Sequence, residues 1–386
     1  MINEISLINF KCFKKQNFEL SNINLFFGLN GRGKSSLLQS ILLMSQSVQE
    51  KSSLKELIIS ADYLKLGGFD DIKNSFSSED EIKFAFKTDV DNMASFAFEY
   101  VKGSVFSDRG ELREFELNGI KSSEELILDS DTKKSVNKSI NYKDDSRILN
   151  IFKNVHYVSA DRIGPRLHVE KFGIRNLDKI DSRGINSIKI LSSYHEELND
   201  KLFIGGIKPN NLTELCQMWL SYIFDGANLE VNDEGDSVLA LKMNSKDRGN
   251  LYKSVNVGFG YSYILSIVLT CLLAKENEIV IFENPEAHLH PKAQSRLTHL
   301  FAKLASSNVQ LFIESHSEHI LNGLRVSITD VNTSITENSI SSYFFGESFN
   351  VEKLKIDNKG FVSNWPKDFF DQTDIDNSLL FKQSRD

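Results

Sequence analysis

One eight-residue segment constrains the fold of this chain more than any other feature. It reads GLNGRGKS over 28–35 and matches the pattern G-x-x-x-x-G-K-[ST]. The apolar run Ile23–Phe27 precedes it, as expected of a strand buried on both faces. From Lys34 onward, apolar residues recur at the spacing of an amphipathic helix. Strand, glycine-rich loop and helix in this order predict a phosphate-binding loop in an α/β fold, whereas the alternative is a glycine turn that caps an ordinary helix.

The residue types in this loop suit a nucleoside triphosphate. Its glycines would let backbone N–H groups wrap the β-phosphate, and the helix N-terminus would add its partial positive charge. Lys34 would reach the β- and γ-phosphates, and Ser35 would ligate Mg²⁺. The nucleotide-binding residues predicted in and just after the loop are Asn30, Gly31, Gly33, Lys34, Ser35 and Ser36.

A second apolar run ends in an acidic residue. Ile279–Phe282 is followed by Glu283, the arrangement of a Walker B strand whose acid holds Mg²⁺ through water. The next residue is Asn284, which can orient a water molecule but cannot take its proton. Glu286 lies two residues further on and is the predicted general base. The alternative is a core strand that ends in a solvated acid.

Histidines cluster in the C-terminal third of the chain. The pairs His288-x-His290 and His316-x-x-His319 suggest a metal site. The favoured interpretation is different, because His316 follows another buried run, VQLFI at 309–313. A neutral imidazole at that position could donate to the γ-phosphate, so His316 is predicted to be catalytic.

Composition limits the classes of partner. The chain has 45 Lys and Arg residues against 53 Asp and Glu residues, a net charge of −8, so nucleic-acid binding would need a local basic patch. The candidate patch interleaves acidic residues, which favours a solvated face; its basic members are Arg162, Arg166, Lys171, Arg175, Lys179 and Arg183. Three scattered cysteines and the absence of a long apolar run predict a cytoplasmic protein with no membrane span.

The patterning predicts four regions. Residues 1–50 and 150–185 form one lobe of the core, and residues 251–386 form the other. Short alternating runs between 50 and 150 predict an antiparallel β region, with an exposed loop or hairpin tip at 121–146. Helical periodicity predicts a helical insertion at 186–250.

Several motifs together resemble a known family. They are NFKCF at 9–13, the glycine-rich loop, YVSADRIGP at 157–165, VGFGYS at 257–262, ENPEAHLHP at 283–291, ESHSEH at 314–319 and WPKDFFD at 365–371. In this order they resemble the ATP-binding-cassette type of AAA ATPases in bacterial defence and DNA repair, which are related to RecF, SMC and overcoming-lysogenization-defect proteins. The last motif resembles the closing motif of a stand-alone, defence-type subfamily.

The resemblance implies further site residues. Asn9 and Lys11 would flank the nucleotide. Gly258, Gly260 and Ser262 would form a signature turn that contacts the γ-phosphate bound to another subunit, which implies a head-to-head homodimer with shared ATP sites. His288 and His290 would lie in a loop that contacts the dimer partner. From the residues alone, the alternative for the turn is a helix N-cap provided by Ser262.

The resemblance implies an ABC-type ATPase that binds Mg·ATP, and Asn284 predicts that hydrolysis is slow. The predicted role is a dimeric sensor or scaffold for a separate effector, such as a nuclease or toxin, in anti-phage defence. The alternatives are a RecF-like repair ATPase and a nucleotide-locked structural subunit. The short segment after His316 leaves no room for a nuclease domain of the overcoming-lysogenization-defect type, which argues against nuclease activity in this chain.

Overall fold

The computed structural model describes residues 1–50, 53–89, 93–100, 108–122, 126–127, 142–171, 178–235, 237–244 and 249–383. The strands are β1 (Ile2–Phe10), β2 (Phe13–Glu19), β3 (Ile23–Gly28), β4 (Ser53–Leu54), β5 (Glu56–Ile58), β6 (Glu81–Thr88), β7 (Met93–Glu99), β8 (Arg109–Leu117), β9 (Ile120–Ser122), β10 (Leu126–Ile127), β11 (Val155–Val158), β12 (Val169–Glu170), β13 (Asn228–Asp233), β14 (Val238–Asn244), β15 (Tyr252–Lys253), β16 (Ile279–Glu283), β17 (Gln310–Glu314), β18 (Ile340–Phe345) and β19 (Val351–Leu354). The helices are α1 (Lys34–Glu50), α2 (Phe69–Ile72), α3 (Tyr142–Lys153), α4 (Ser187–Ser193), α5 (Leu212–Ile223), α6 (Phe259–Leu273), α7 (Pro291–Ala305), α8 (Glu318–Thr329) and α9 (Gln372–Gln383).

The central sheet has the strand order β11-β16-β17-β3-β18-β19. All neighbouring pairs are parallel except β18 with β19. Both faces of its strands are buried: Ile279 and Ile281 belong to one hydrophobic core, and Val280 and Phe282 belong to the other. The largely apolar runs that predicted buried strands are therefore explained, because parallel sheets of this kind are covered on both sides.

A second sheet is antiparallel and has the order β2-β1-β6-β7-β8-β5, with β9 paired to β8. Its buried face shares one core with α1 and with one face of the central sheet. Strands β5 to β9 of this sheet lie within the predicted antiparallel region at 50–150, which also contains helix α2. The N-terminal strands β1 and β2, which the prediction assigned to the core lobe, also belong to this sheet. Most of the predicted loop at 121–146 lies outside the described residues.

The opposite face of the central sheet is covered by helices α5, α6, α7 and α8, which share the other core. The predicted helical insertion at 186–250 needs correction. It contains α4 and α5, but β13 and β14 then pair as an antiparallel hairpin. The physical reason lies in β13, where Leu229 and Val231 alternate with polar residues at a spacing of two, the period of a strand rather than of a helix.

The C-terminal motif WPKDFFD packs against the central sheet. The ring of Phe369 lies 5.9 Å from that of Phe27 on β3 and 5.2 Å from that of Phe344 on β18. The Trp365 indole N–H donates to the Phe369 carbonyl over 2.6 Å. The motif therefore supports the strand that leads into the glycine-rich loop. No helix within the described ranges is long and apolar enough to cross a membrane.

Candidate ATP-binding site

The glycine-rich loop connects β3 to α1 at the carboxyl edge of the central sheet, in the predicted order of strand, loop and helix. Gly28 and Gly33 have φ angles of 127° and 102°. A Cβ atom on Gly28 would lie 2.3 Å from the Phe345 carbonyl oxygen, so the loop could not pass β18 with another residue there. Asn30 and Gly31 form the exposed crest of the loop.

Lys34 and Ser35 open helix α1 with their side chains on defined partners. Lys34 is 3% exposed, and its ammonium donates to the carbonyls of Gly28 and Leu29, both over 2.8 Å. Burial lowers the pKa of Lys34. The Ser35 hydroxyl donates to Oε1 of Glu314 over 3.0 Å. Ser36 is buried one residue further on, and its N–H donates to the Gly33 carbonyl. The predicted loop residues therefore lie together at one helix N-terminus, where anions bind.

Two carboxylates end adjacent parallel strands beside this helix. Glu283 closes β16 and Glu314 closes β17, and the register places them side by side. The N–H of Ala160 donates to Oε2 of Glu283 over 3.2 Å. Burial, with the nearby charge of Glu283, raises the pKa of Glu314 to about 7. Like charges brought together in this way are a common feature of functional sites.

The turn after β16 directs its side chains inward. Asn284 has a φ of 45°, and its N–H donates to the Glu314 carbonyl over 2.8 Å. The backbone N–H of His316 donates to Oε1 of Glu286 over 2.6 Å. Oδ1 of Asn284 and Oε2 of Glu286 are buried with no hydrogen-bond partner among the described residues. Burial raises the pKa of Glu286. Both side chains thus hold free acceptor capacity inside the site.

The predicted histidines lie in different environments. His316 follows β17, and partial burial together with the Lys34 charge lowers its pKa, which favours the neutral imidazole. The ring of His288 packs 4.5 Å from that of Tyr263, and the His290 ring accepts the Lys292 N–H at the start of α7. The structure shows no group of three or more His, Cys, Asp or Glu placed to hold a metal within the described ranges, so it does not support a histidine metal site.

The predicted signature turn opens helix α6. Gly258 is the N-cap residue and is exposed, and Phe259 is 57% exposed. A Cβ on Gly260 would lie 2.6 Å from the His288 carbonyl, so the turn packs closely on the segment that follows Walker B. The Ser262 hydroxyl is buried, with no partner that the structure describes. Ser262 therefore does not cap the helix, and Gly258 and Phe259 form the accessible part of the turn.

Asn9 lies near the end of β1, and Lys11 lies just after that strand. Asn9 and Lys11 both have left-handed backbones, with φ angles of 55° and 49°. The Asn9 amide donates to the carbonyls of Glu79 and Glu81, and the Lys11 ammonium donates to Gln39 on α1 over 2.5 Å. Burial lowers the pKa of Lys11. The structure thus places Lys11 beside the second turn of α1.

Comparison with protein families agrees with this geometry. A family model described as an AAA ATPase domain matches residues 1–321. The chain belongs to this AAA ATPase family. A second model, described as a protein of unknown function (DUF3696), matches residues 335–379, a range that contains WPKDFFD.

Individual relatives and solved structures extend the comparison of this AAA ATPase. The DNA replication and repair protein RecF of Caldanaerobacter subterraneus subsp. tengcongensis is 25% identical over 213 residues, which are 52% of this chain and 57% of that protein. An SMC head bound to the C-winged helix domain of ScpA matches 92% of this chain and 97% of its own, at 14% identity and a TM-score of 0.50. An SMC head from Pyrococcus furiosus, bound to the C-terminal domain of ScpA, matches 92% of this chain and 96% of its own, at 13% identity and a TM-score of 0.52. The predicted ABC-type α/β fold is confirmed.

An AAA ATPase binds ATP, typically with Mg²⁺, and the residues present fit that ion. Ser35 and Glu283 supply the hard oxygen donors that Mg²⁺ prefers, and Glu314 lies beside both of them. Nucleotide-bound Mg²⁺ needs only one or two protein ligands beside phosphates and water, so a site with few protein ligands is appropriate. Oε2 of Glu314 is buried and has no partner among the described residues. An oxygen-rich edge of this kind suits a hydrated cation.

Two residues of this ATPase site were not predicted. Glu314 is one, although its position after a buried apolar run matches that of Glu283 and gave the signal. Arg162 is the other: it is buried, and its guanidinium donates to the carbonyls of Ser159, Glu283 and Asn284 over 2.7–2.9 Å. Arg162 thus clamps the turn after Walker B, and its assignment to a solvated face was wrong.

The other members of the predicted basic patch do not join Arg162. Lys171 pairs with Asp233 over 2.6 Å and Arg183 with Asp161 over 3.2 Å. The Lys179 ammonium donates to the carbonyls of Lys153 and Val155. Arg166 is exposed, and Arg175 lies outside the described residues. The patch is thus divided between local ion pairs and a buried clamp, which does not favour it as a nucleic-acid surface.

Proposed function

We propose that this chain hydrolyses Mg·ATP slowly as a homodimer and that its closure on ATP controls a separate effector protein. One observation carries the catalytic part of this proposal. Three separate parts of the sequence meet at one edge of the central sheet, and they supply Lys34 and Ser35, Glu283 and Glu286, and Glu314 and His316. This combination of a phosphate-binding cation, oxygen donors and a base suits phosphoryl transfer to water.

The proposed mechanism assigns each side chain a step. Lys34 binds the β- and γ-phosphates in place of the loop carbonyls that it contacts in this structure. Ser35 and Glu283 would hold Mg²⁺, which when bound would neutralise charge that develops on the phosphates. Asn284 orients the attacking water, and Glu286 takes its proton. The neutral His316 imidazole donates to the γ-phosphate.

The raised pKa of Glu286 suits a general base, because a base works best with a pKa close to the working pH. Turnover is expected to be slow because one residue orients the attacking water and a different residue accepts its proton. Asn284 follows the Walker B acid and only orients the water, so the proton of the water must be transferred to Glu286. One carboxylate oxygen of Glu286 already accepts a hydrogen bond from the His316 N–H. A nucleotide-locked subunit is the alternative if Glu286 takes no proton.

The dimer rests on the exposed turn at Gly258 and Phe259. In the proposed assembly, this turn meets the γ-phosphate bound to the other subunit, and the neighbouring segment with His288 and His290 contacts that subunit. The exposed N-terminus of α6 supports this arrangement, since the partial positive charge of a helix N-terminus attracts phosphate. Gly260 also supports this arrangement, because its lack of a side chain lets the turn pack closely against the segment after the Walker B strand.

Gly258→Arg tests the dimer. A Cβ at this position would approach only the Tyr261 ring, at 3.9 Å, so the fold should tolerate the change. We expect crosslinking across the nucleotide site in the presence of a non-hydrolysable ATP analogue to fall at least roughly tenfold, since a bulky cation would prevent close approach. Gly249→Arg is the matched control, because a Cβ there meets no atom within 4 Å. If Gly258→Arg crosslinks to the same extent as the parental protein, the proposed shared site is contradicted.

The partner is proposed by class only. The solved SMC heads are bound to domains of ScpA, which is consistent with a protein partner for a head of this fold. We propose a nuclease or toxin as effector, acting in anti-phage defence in the cytoplasm. Cells that carry the parental chain and its neighbouring genes should resist phage in a plaque assay, and Lys34→Ala should remove the resistance. Equal plaque counts for both strains would contradict a defence role.

A RecF-like role in DNA repair is the second candidate, and the 25% identity to RecF favours it. The net charge of −8 and the divided basic patch do not. Turnover measured with and without duplex and gapped DNA separates the two candidates. The defence proposal predicts the same rate in both conditions, whereas a DNA-repair ATPase would be stimulated.

A further inference from the structure

Glu314 forms a contact that the proposed mechanism does not use. It is 8% exposed, and its Oε1 accepts the hydroxyl proton of Ser35, the residue proposed to ligate Mg²⁺. The two residues are 279 positions apart in the sequence, so the contact depends on the folded sheet. The carboxylate is thus presented to the metal-binding hydroxyl by the end of β17.

The chemistry of a hydroxyl ligand explains why a carboxylate would contact the Ser35 hydroxyl. A serine hydroxyl binds a cation through an oxygen lone pair and keeps its proton, and that proton needs an acceptor. A carboxylate acceptor orients the hydroxyl and increases the electron density on its oxygen, as outer-shell partners do in other metal centres. In this structure Glu314 is that acceptor.

The groups around Glu314 also favour a bound cation. The register places Glu283 beside it on the adjacent parallel strand, so two carboxylates share one edge. Oε2 of Glu314 is buried with no partner that the structure describes. The carboxylates of buried Glu314 and partly exposed Glu283 repel each other, and a divalent cation nearby would relieve that repulsion.

We propose that Glu314 is a positioning residue of the magnesium centre that acts through the hydroxyl of Ser35. The proposal rests on the proposed function, since it requires that Mg²⁺ binds with ATP at this edge. Glu314 orients the Ser35 hydroxyl and supplies negative charge beside it, so the affinity for the metal depends on both residues together.

The test measures metal binding rather than turnover. ATP affinity is determined by calorimetry in EDTA, and Mg²⁺ affinity is determined by titration of the ATP complex, with Mn²⁺ and electron paramagnetic resonance as a second readout. Glu314→Gln should weaken metal binding about 10–100-fold, as expected for loss of an outer-shell partner, and leave ATP affinity in EDTA unchanged. Glu318→Gln removes an exposed carboxylate four residues away and should keep parental values. Parental metal affinity in Glu314→Gln would overturn the proposal.

A double-mutant cycle with Ser35→Ala tests whether the effect passes through the hydroxyl. If it does, Glu314→Gln should weaken metal binding much less in the Ser35→Ala background than in the parent. Fully additive effects would show that Glu314 acts independently of Ser35 and would overturn the proposal as stated. Failure of the proposed function is distinguishable, since the parental protein would then bind no ATP in EDTA or no metal with ATP.

Discussion

The two large sheets differ in where their polar groups lie. The central sheet brings Glu283, Glu314 and the glycine-rich loop to one edge, because parallel strands all end on the same side. In the antiparallel sheet successive strands end on opposite sides, and its interior is aromatic. The ring centroids of Phe96 and Phe115 lie 5.7 Å apart, and those of Phe86 and Phe152 lie 4.7 Å apart. Strand direction thus concentrates chemistry in one sheet and leaves the other as support.

The largest expected effect tests the supporting role of the antiparallel sheet. Phe96→Ala should destabilise the protein by about 3–5 kcal/mol, because the side chain is fully buried among other rings. Chemical denaturation measures this change. At low temperature and without denaturant, the folded fraction should bind ATP with parental affinity. A loss of ATP affinity in folded Phe96→Ala protein would contradict the claim that the antiparallel sheet only supports the fold.

The next effect tests the chemical role of the central sheet. Lys34→Ala should weaken ATP binding roughly 100-fold or more, because charge-assisted contacts to the phosphates are lost. The fold should persist, since the change removes a buried ammonium rather than core packing. Lys292→Ala, which removes an exposed lysine paired with Asp225, is the control and should bind ATP like the parent. Unchanged ATP affinity of Lys34→Ala in calorimetry would contradict the assignment of the loop.

The sequence predicted the central strands and the loop well because each signal is local. A continuous apolar run followed by glycines or an acid needs no information from distant residues. Arg162 and Glu314 were not predicted because their roles depend on strand order, which places residues 162, 283 and 314 side by side. The hairpin β13–β14 was missed because the helical periodicity of α5 was extended beyond Ile223.

The smallest of these effects concerns pH. The pKa of Glu314 is raised from 4.5 to about 7, so between these values the folded state keeps a proton that the unfolded state has lost. The stability that this proton confers is present below pH 4.5 and is lost as the pH rises through 7. From pH 5 to 7.5 the loss is on the order of 2 kcal/mol. The stability of Glu314→Gln relative to the parent should therefore increase over that range in denaturation at several pH values. A constant difference would contradict the assigned environment of Glu314.

The central claim is that residues at the carboxyl edge of the parallel sheet catalyse ATP hydrolysis, with Glu286 as the general base. Single-turnover hydrolysis by Glu286→Gln tests it most directly, with Glu283→Gln as the comparison. We expect Glu286→Gln to lower the rate about 10²-fold or more while ATP affinity is kept, because a general base is lost. Glu283→Gln should also weaken Mg²⁺-dependent binding. Hydrolysis by Glu286→Gln at the parental rate would contradict the claim, and Asn284 would remain only as a residue that positions water.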